Sequence, residues 1–258
     1  MGDLFKAIAH AIRTNEPVAV VTEVQGPNPG AKMLVGEESV TGSLGDERLD
    51  GAVIENARGF IDMAQTGTRT YGPQGQGNSE EVEVFIQAFS QPPDMYVLGA
   101  VNLASAVVRL GKFLGYRVTV VDARRVFANS ERFPEADEVV VQWPNEFLET
   151  AQISRRTAIV ILTHDPKFDI PILEFALKSP VGYLGAMGSR RTHEKRKANL
   201  REIGIAEEEM DRIHAPLGLD LGARTPEETA VSIMAQIIAL RTGRTGGHLD
   251  EASGRIHA

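Results

Sequence analysis

No cysteine occurs among the 258 residues. Within this sequence that excludes disulfides, thiolate metal sites, iron–sulfur clusters and a cysteine nucleophile. Positive charge is also scarce: 27 Lys and Arg stand against 35 Asp and Glu, for a formal net charge of −8. A protein that grips the phosphate backbone needs a basic surface, so no nucleic-acid partner is expected, although a local basic patch remains compatible with one anionic ligand. No apolar run approaches the ~20 residues of a membrane span. The start, Met1-Gly2-Asp3-Leu4-Phe5-Lys6, lacks the basic region and apolar core of a secretory signal, and Lys6 stands where a myristoylation motif wants Ser or Thr. A soluble, cytoplasmic protein is expected. There is no internal repeat.

What is present is ordinary for a globular protein: 42% hydrophobic and 24% charged residues, with enough length for one large domain or two small ones. Leu4, Ile8, Ala11 and Ile12 recur at helical spacing, and Val18 to Val24 reads as a strand after Pro17. Gly26-Pro27-Asn28-Pro29-Gly30 is a turn, and Lys32 to Val35 a second strand. Leu49, Val53, Ala57 and Ile61 mark one face of a helix from about Glu47, with Gly67 as its expected C-cap and a Gly/Gln-rich loop over 72–77. Val82, Val84 and Ile86 alternate as in a strand with one exposed face.

Gln91-Pro92-Pro93 is the expected domain boundary. Beyond it strands and helices alternate: strands at Met95–Leu98, Val118–Val121, Glu138–Val141, Ala158–Leu162 and Pro180–Leu184, and a helix carrying Leu103, Val107, Leu110 and Leu114. Such alternation predicts a parallel sheet covered by helices, doubly wound through right-handed crossovers. Thr225, Pro226 and Glu228 predict the start of a last helix by a capping box. The expected fold class is therefore α/β, a C-terminal Rossmann-like doubly wound parallel sheet with a smaller N-terminal α+β domain. The expected domains are residues 1–92 and 93–241, with a flexible tail over 242–258.

Candidate binding residues fall at the C-terminal ends of the strands. The first turn, Gly99-Ala100-Val101-Asn102-Leu103-Ala104, keeps only the first glycine of a dinucleotide fingerprint, and Val101 adds a branched side chain where a pyrophosphate would approach. A packed turn with no ligand is an equal reading. Asp122 follows Gly99 by 23 positions, where an acidic residue meets a ribose hydroxyl in NAD-type sites. The alternative is an ion pair with Arg124 or Arg125, and Arg124 also leaves phosphate binding open. Thr163, His164 and Asp165 end the fourth strand, which flanks the switch point beside Gly99. His164 is a candidate phosphate donor or acid–base group. Asp165 would orient it or cap the next helix near Phe168. Gly185, Gly188, Ser189 and Arg190 precede a helix and suit an anion, whereas Lys195 to Arg201 reads as a solvated basic face. Asp220, in Gly218-Leu219-Asp220-Leu221-Gly222, either reaches the cleft or shapes its loop, with the loop role favoured. Lys32 and Met33 are weaker candidates, from the other domain. No metal site is expected.

Taken together, these runs resemble the XdhC/CoxI family of accessory proteins for molybdenum hydroxylases. Phe127-Ala128-Asn129, Arg132-Phe133-Pro134-Glu135-Ala136-Asp137, Thr163-His164-Asp165-Pro166, Gly185-Ala186-Met187-Gly188-Ser189-Arg190-Arg191 and Gly218 to Glu228 occur in the family's order and spacing. Upstream, Gly30 to Val35 and Gly42-Ser43-Leu44-Gly45 resemble its small N-terminal domain. The resemblance implies a maturation role without necessary catalysis: binding the molybdenum cofactor (molybdopterin or its dinucleotide form), and assisting its sulfuration with a cysteine desulfurase or its insertion into a xanthine or carbon monoxide dehydrogenase. A homodimer is left open. Two departures stand out. Arg48 occupies the family's cysteine position, and Gly99 to Ala104 lacks two of three glycines and a histidine. An NAD(P)-binding oxidoreductase and a nucleotide-sensing module are the alternatives.

Overall fold

A computed structural model of the chain describes residues 2–14, 16–72, 75, 81–163 and 166–251. His164, Asp165, most of the expected loop over 72–77 and residues 252–258 of the expected tail lie outside the described residues. Two compact units divide the chain, the first comprising residues up to Pro92 together with the segment from Leu249 onward, and the second running from Pro93 to His248.

The first unit comprises α1 (Gly2–Thr14), β1 (Val18–Gln25), β2 (Lys32–Gly36), β3 (Val40–Gly42), α2 (Glu47–Asp62), β4 (Thr66–Tyr71) and β5 (Val82–Phe89). Its antiparallel sheet has the order β3-β2-β1-β5-β4. Side chains alternate across a strand, and here both faces are used. Ala19, Val21, Met33, Val35, Val84 and Ile86 pack under Leu49, Val53, Ala57 and Ile61 of α2. Val18, Val20 and Leu34, on the opposite face, pack against Ala7, Ile8 and Ala11 of α1. Asp46 caps α2 by accepting from the amides of Arg48 and Leu49 at 2.9 and 3.0 Å. The family's cysteine position is therefore the exposed first turn of that helix, occupied by arginine. Gly67 is not the C-cap. The helix ends at Asp62, Ala64 takes the left-handed conformation (φ 51°), and Gly67 lies within β4. A short turn closed by Ala64 leads straight into a strand, so the glycine signal marks an extended edge.

The second unit runs β6 (Asp94–Leu98), α3 (Asn102–Phe113), β7 (Arg117–Val121), β8 (Glu138–Val140), α4 (Pro144–Thr150), β9 (Ala158–Ile161), α5 (Pro166–Leu177), β10 (Tyr183–Ala186), α6 (Arg190–Glu202), α7 (Glu207–Met210), β11 (Ile213–His214) and α8 (Pro226–Arg241). All six strands are parallel, in the order β11-β10-β9-β6-β7-β8. β6 and β9 are neighbours although far apart in sequence, so the winding reverses between them. Right-handed crossovers then place α3 and α5 on opposite faces. α3 packs against α8, and α5 packs against α4 and α6. β9 and β10 are buried along their whole length and β6 from Met95 onward, as strands covered on both faces are. The expected capping box is in place: Thr225 accepts from the amide of Glu228 at 3.1 Å, and the Glu228 carboxylate accepts from the amides of Thr225 and Arg224 at 3.1 and 2.7 Å.

Candidate functional site

Ligands of open parallel sheets collect where the winding reverses, at the carboxyl ends of the strands. Here a cavity of about 340 Å³ opens at that place. Four expected residues line it: Gly99 after β6, Asp122 and Arg124 after β7, and Thr163 after β9. Gly99 holds φ +111°, and a Cβ there would lie 3.2 Å from the amide of Thr163 and 3.3 Å from the carbonyl carbon of Leu162. Only glycine lets the two strand ends approach this closely.

Asp122 is the electrostatic centre of the turn. One carboxylate oxygen accepts from the Ala100 amide at 2.8 Å and from Arg124 Nη2 at 2.8 Å. The other accepts from the Arg124 amide and Nε, both at 2.9 Å. Burial alone would push this carboxyl up, but the hydrogen bonds from Arg124 and Ala100 outweigh it and hold it below the ordinary carboxylate range. Asp122 is buried whereas the Arg124 side chain is largely exposed, so the pair presents its guanidinium outward. Ala100 is buried and contributes its amide to Asp122. Arg132 donates to the Ala100 carbonyl at 3.2 Å and brings a second positive charge to the same turn.

The remaining lining residues described are Val101, Ala123, Trp143, Pro144 and Phe168. Trp143 and Phe168 stack with ring centroids 4.9 Å apart and planes inclined by 19°. The chain's single tryptophan stands immediately before Pro144 at the start of α4. That Trp-Pro pair, just past the third strand, is the sequence signal from which the aromatic wall could have been found.

Thr163 begins a buried chain of polar contacts. Its hydroxyl donates to Asp169 in α5, whose other carboxylate oxygen accepts from Arg196 Nη2 at 2.5 Å and Nε at 3.2 Å. Arg196 Nη2 also donates to the Met187 carbonyl at 2.9 Å. Asp169 is 0% exposed and Arg196 2% exposed. The expected solvated face over Lys195 to Arg201 is thus corrected at Arg196, which turns inward and ties the end of β9 to the loop before α6. Arg196 precedes Leu200, also fully buried, by four residues, the spacing that keeps both on one helix face.

The second group of expected residues stands at that loop rather than in the cavity. Gly188 adopts φ +144°, where a Cβ would come within 3.2 Å of Thr192. Ser189 caps α6 by accepting from the Thr192 amide at 3.1 Å, and Arg190 is exposed. Gly185 lies inside β10 with the Tyr183 ring against it. Asp220 is exposed on a loop pinned to α8, where Ser232 donates to the Leu219 carbonyl and Gln236 accepts from the Gly218 amide at 2.8 Å. Lys32 and Met33 belong to the first unit, where the Lys32 ammonium donates to Thr22 Oγ1 at 2.7 Å and Met33 is buried in the core. No cluster of three or more metal-binding side chains occurs among the described residues, and none of their helices is long and apolar enough to cross a membrane.

Comparison with known proteins agrees with this architecture. Residues 95–237, more than half the chain, match the XdhC Rossmann domain, and residues 11–72 match the XdhC and CoxI family. Among curated proteins, the chain is 28% identical over 261 residues to the uncharacterized protein YqeB of Escherichia coli K12, covering 95% of this chain and 47% of that protein. It is 28% identical over 162 residues to a probable xanthine dehydrogenase subunit of Bacillus subtilis 168, covering 63% of this chain and 47% of that one. It is 39% identical over 92 residues to the molybdenum cofactor insertion chaperone PaoD of Escherichia coli K12, covering 36% of this chain and 29% of that one. The chain thus spans half or less of the length of these relatives. A solved structure of a xanthine dehydrogenase from Bacillus halodurans has the same fold, with a TM-score of 0.61 at 23% identity over 93% of this chain and 67% of that one. With both parts of the sequence matched, the chain belongs to the XdhC and CoxI family, its C-terminal part being the XdhC Rossmann domain.

Proposed function

We propose that this chain is an accessory protein of a molybdenum hydroxylase of the xanthine or carbon monoxide dehydrogenase type, which binds the molybdenum cofactor and assists its sulfuration or insertion. Residues 93–241 form the binding domain in this reading. The observation that carries it is the switch-point cavity, found in a chain of this family: about 340 Å³, walled by Trp143 and Phe168 and rimmed by Arg124. A flat wall and a cationic rim fit a fused-ring pterin bearing a phosphate, and the volume falls at the lower end of ordinary ligand pockets, ~300–1,000 Å³. Gly99, Asp122, Arg124 and Thr163 would hold the ligand there, with His164 and Asp165 next in sequence. Gly188, Ser189 and Arg190 would meet a second anionic group at the start of α6. The similarity to an insertion chaperone supports the same reading. When bound, the cofactor supplies the oxygen-transfer chemistry of the client enzyme, and this chain's residues bind and orient it.

The absence of cysteine gives the reading a sharp chemical form. A sulfur atom delivered during maturation cannot ride on a thiol of these 258 residues, and in this reading a partner such as a cysteine desulfurase supplies it. The test is to delete the gene and measure molybdenum and activity in each molybdenum hydroxylase of the host. A fall in either in at least one enzyme is expected, and unchanged values in all of them would overturn the proposal. Arg190→Ala should weaken cofactor binding by about 1–3 kcal/mol if the guanidinium makes a charge-assisted contact.

A nicotinamide-dependent oxidoreductase has the position of Asp122 in its favour. The same geometry counts against it, because both carboxylate oxygens already accept from Arg124 and one also from Ala100. A ribose diol would have to displace Arg124 first.

A further inference from the structure

The two edges of the antiparallel sheet in the first unit are unlike. β3 forms one edge with only three residues, Val40–Gly42. β4 forms the other with six, Thr66–Tyr71, and pairs with β5 in unbroken register from Thr66 opposite Gln87 to Tyr71 opposite Val82. Edge strands are ordinarily blunted against other chains by shortness, proline, bulges or charge. β4 has no proline and no bulge, and its single charged residue is Arg69. In an antiparallel ladder, successive residues turn their N–H and C=O alternately to one neighbour and to the other. The Gln65 carbonyl accepts from the Ala88 amide at 3.3 Å. Gln65, Gly67, Arg69 and Tyr71 therefore face β5, whereas Thr66, Thr68 and Thr70 face outward. All three threonines are exposed, and no strand among the described residues pairs with that side of β4. Arg69 Nη1 donates to the Thr68 carbonyl at 3.1 Å, as a carbonyl turned away from β5 permits, and the oxygen keeps a second lone pair.

This edge is complementary to itself. A two-fold axis at Thr68 sets β4 antiparallel to its copy, with Thr68 opposite Thr68, Thr66 opposite Thr70 and Gly67 opposite Arg69. Every outward residue then meets an outward residue, and each such pair exchanges both of its backbone bonds. On one face the threonines form Thr–Thr pairs, a favourable cross-strand combination. On the other face each arginine lies opposite a glycine, so like charges are not opposed and no side chain obstructs the guanidinium. Phe60 stands on that face, with Arg69 Cζ 4.8 Å from its ring centroid and the Cβ position of Gly67 3.4 Å from its Cε1. The neighbouring registers are poorer. An axis at Arg69 sets arginine against arginine, which is destabilising, and an axis at Gly67 leaves Thr70 without a strand partner.

We infer that β4 is the contact between two copies of this chain, in which the five-stranded sheet of one continues into that of the other across Thr68. The same surface serves both copies, so the contact closes on itself and covers the edge instead of propagating. It uses no residue of the switch-point cavity and is independent of the accessory role.

Sedimentation velocity of the full chain, at concentrations reaching about 1 mM, should show a reversible monomer–dimer equilibrium. Amide hydrogen exchange should slow at Thr66, Thr68 and Thr70 as dimer forms, and stay constant at Gly67 and Arg69, which face β5 in either state. Thr68→Pro removes an outward N–H and spares the ladder to β5, the position at which an edge strand tolerates proline. With the two bonds at the axis lost, dimerisation should weaken by about tenfold or more, and circular dichroism establishes that the variant is folded. Thr68→Lys and Thr68→Glu each place like charges on the axis. Each should be monomeric alone, and an equal mixture of the two should dimerise again, a rescue that misfolded variants could not give. A chain that stays monomeric throughout would overturn the inference and leave the β4 edge to a partner of another kind. Dimers as tight as those of the unaltered chain in Thr68→Pro, Thr68→Lys and Thr68→Glu would also overturn it, by moving the contact to another surface. So would exchange at Thr66, Thr68 and Thr70 that is unchanged between monomer and dimer.

Discussion

Replacing Arg196 by alanine removes one half of an ion pair that is sealed from water. Asp169 is 0% exposed, and without the guanidinium its carboxylate keeps only the Thr163 hydroxyl as a described partner. An uncompensated buried charge of this kind costs about 3–5 kcal/mol. In a unit of roughly 150–250 residues each kcal/mol lowers the melting temperature by about 2–4 °C, so a fall of roughly 6–20 °C is expected. Thermal and urea unfolding followed through Trp143 fluorescence measures it, and the single tryptophan makes the signal specific to the second unit. A solvated arginine would change stability by no more than about 0.5 kcal/mol, so a loss below about 1 kcal/mol would refute the buried pairing. The double replacement Asp169→Leu with Arg196→Met separates charge from packing. Apolar substitutes for a buried pair are often neutral, and the pair here is imperfect, because Arg196 Nη1 is buried without a hydrogen-bond partner. The double variant should therefore recover much of the loss seen in either single variant.

Gly99→Ala should destabilise the second unit by about 1–3 kcal/mol in urea unfolding, since the new methyl meets strand backbone that cannot swing aside. Asp122, held below the ordinary carboxylate range, contributes stability that is present above its unfolded pKa of about 3.9 and is lost as pH falls through the folded value. Asp122→Asn should flatten the fall in stability below about pH 4 in a series of urea melts, and an unchanged slope would remove Asp122 from the acid response. His214 stacks on Tyr183 with centroids 5.4 Å apart, and burial pushes its imidazole down. Its contribution is therefore complete above about pH 6.5 and declines as pH drops below that unfolded value toward the folded one. His193, lowered by burial and by Lys197 and Arg196, acts in the same sense. His214→Phe keeps the stack and should remove part of the pH dependence just below about pH 6.5; a full slope in that variant would assign the dependence to His193.

Much of the architecture could be read along the chain because its signals are local. The β-branched runs at Val18–Val24 and Val118–Val121, and the apolar stretch at Ala158–Leu162, coincide with β1, β7 and β9. The alternation of these strands with helices sufficed for the parallel sheet and its switch point. Thr225, Pro226 and Glu228 form the capping box their spacing implies. Gly67 was misleading because a left-handed turn after a helix does not require glycine, and Ala64 occupies it. The short strands β3, β4 and β11 lack strong runs of their own and exist through pairing with neighbours. At the candidate site, Gly99, Asp122, Arg124 and Thr163 were legible from their places at strand ends, and the structure brings all four to one cavity.

The sequence by itself determined the α/β class, the family and the absence of a thiol among these 258 residues, because these follow from composition, short-range periodicity and ordered motifs. Only the tertiary structure decided which of several polar residues are available to a ligand. It saturated Asp122 and turned Arg124 outward. It drew Arg196 from a run of basic residues into the interior, where Asp169, 27 positions away, receives it. It stacked Trp143 on Phe168 across 25 positions to form one wall of the cavity. The physical reason is common to all three. A charge or a ring acquires its role from what surrounds it, and those surroundings come from strands and helices that are remote in sequence and adjacent only after the sheet has wound.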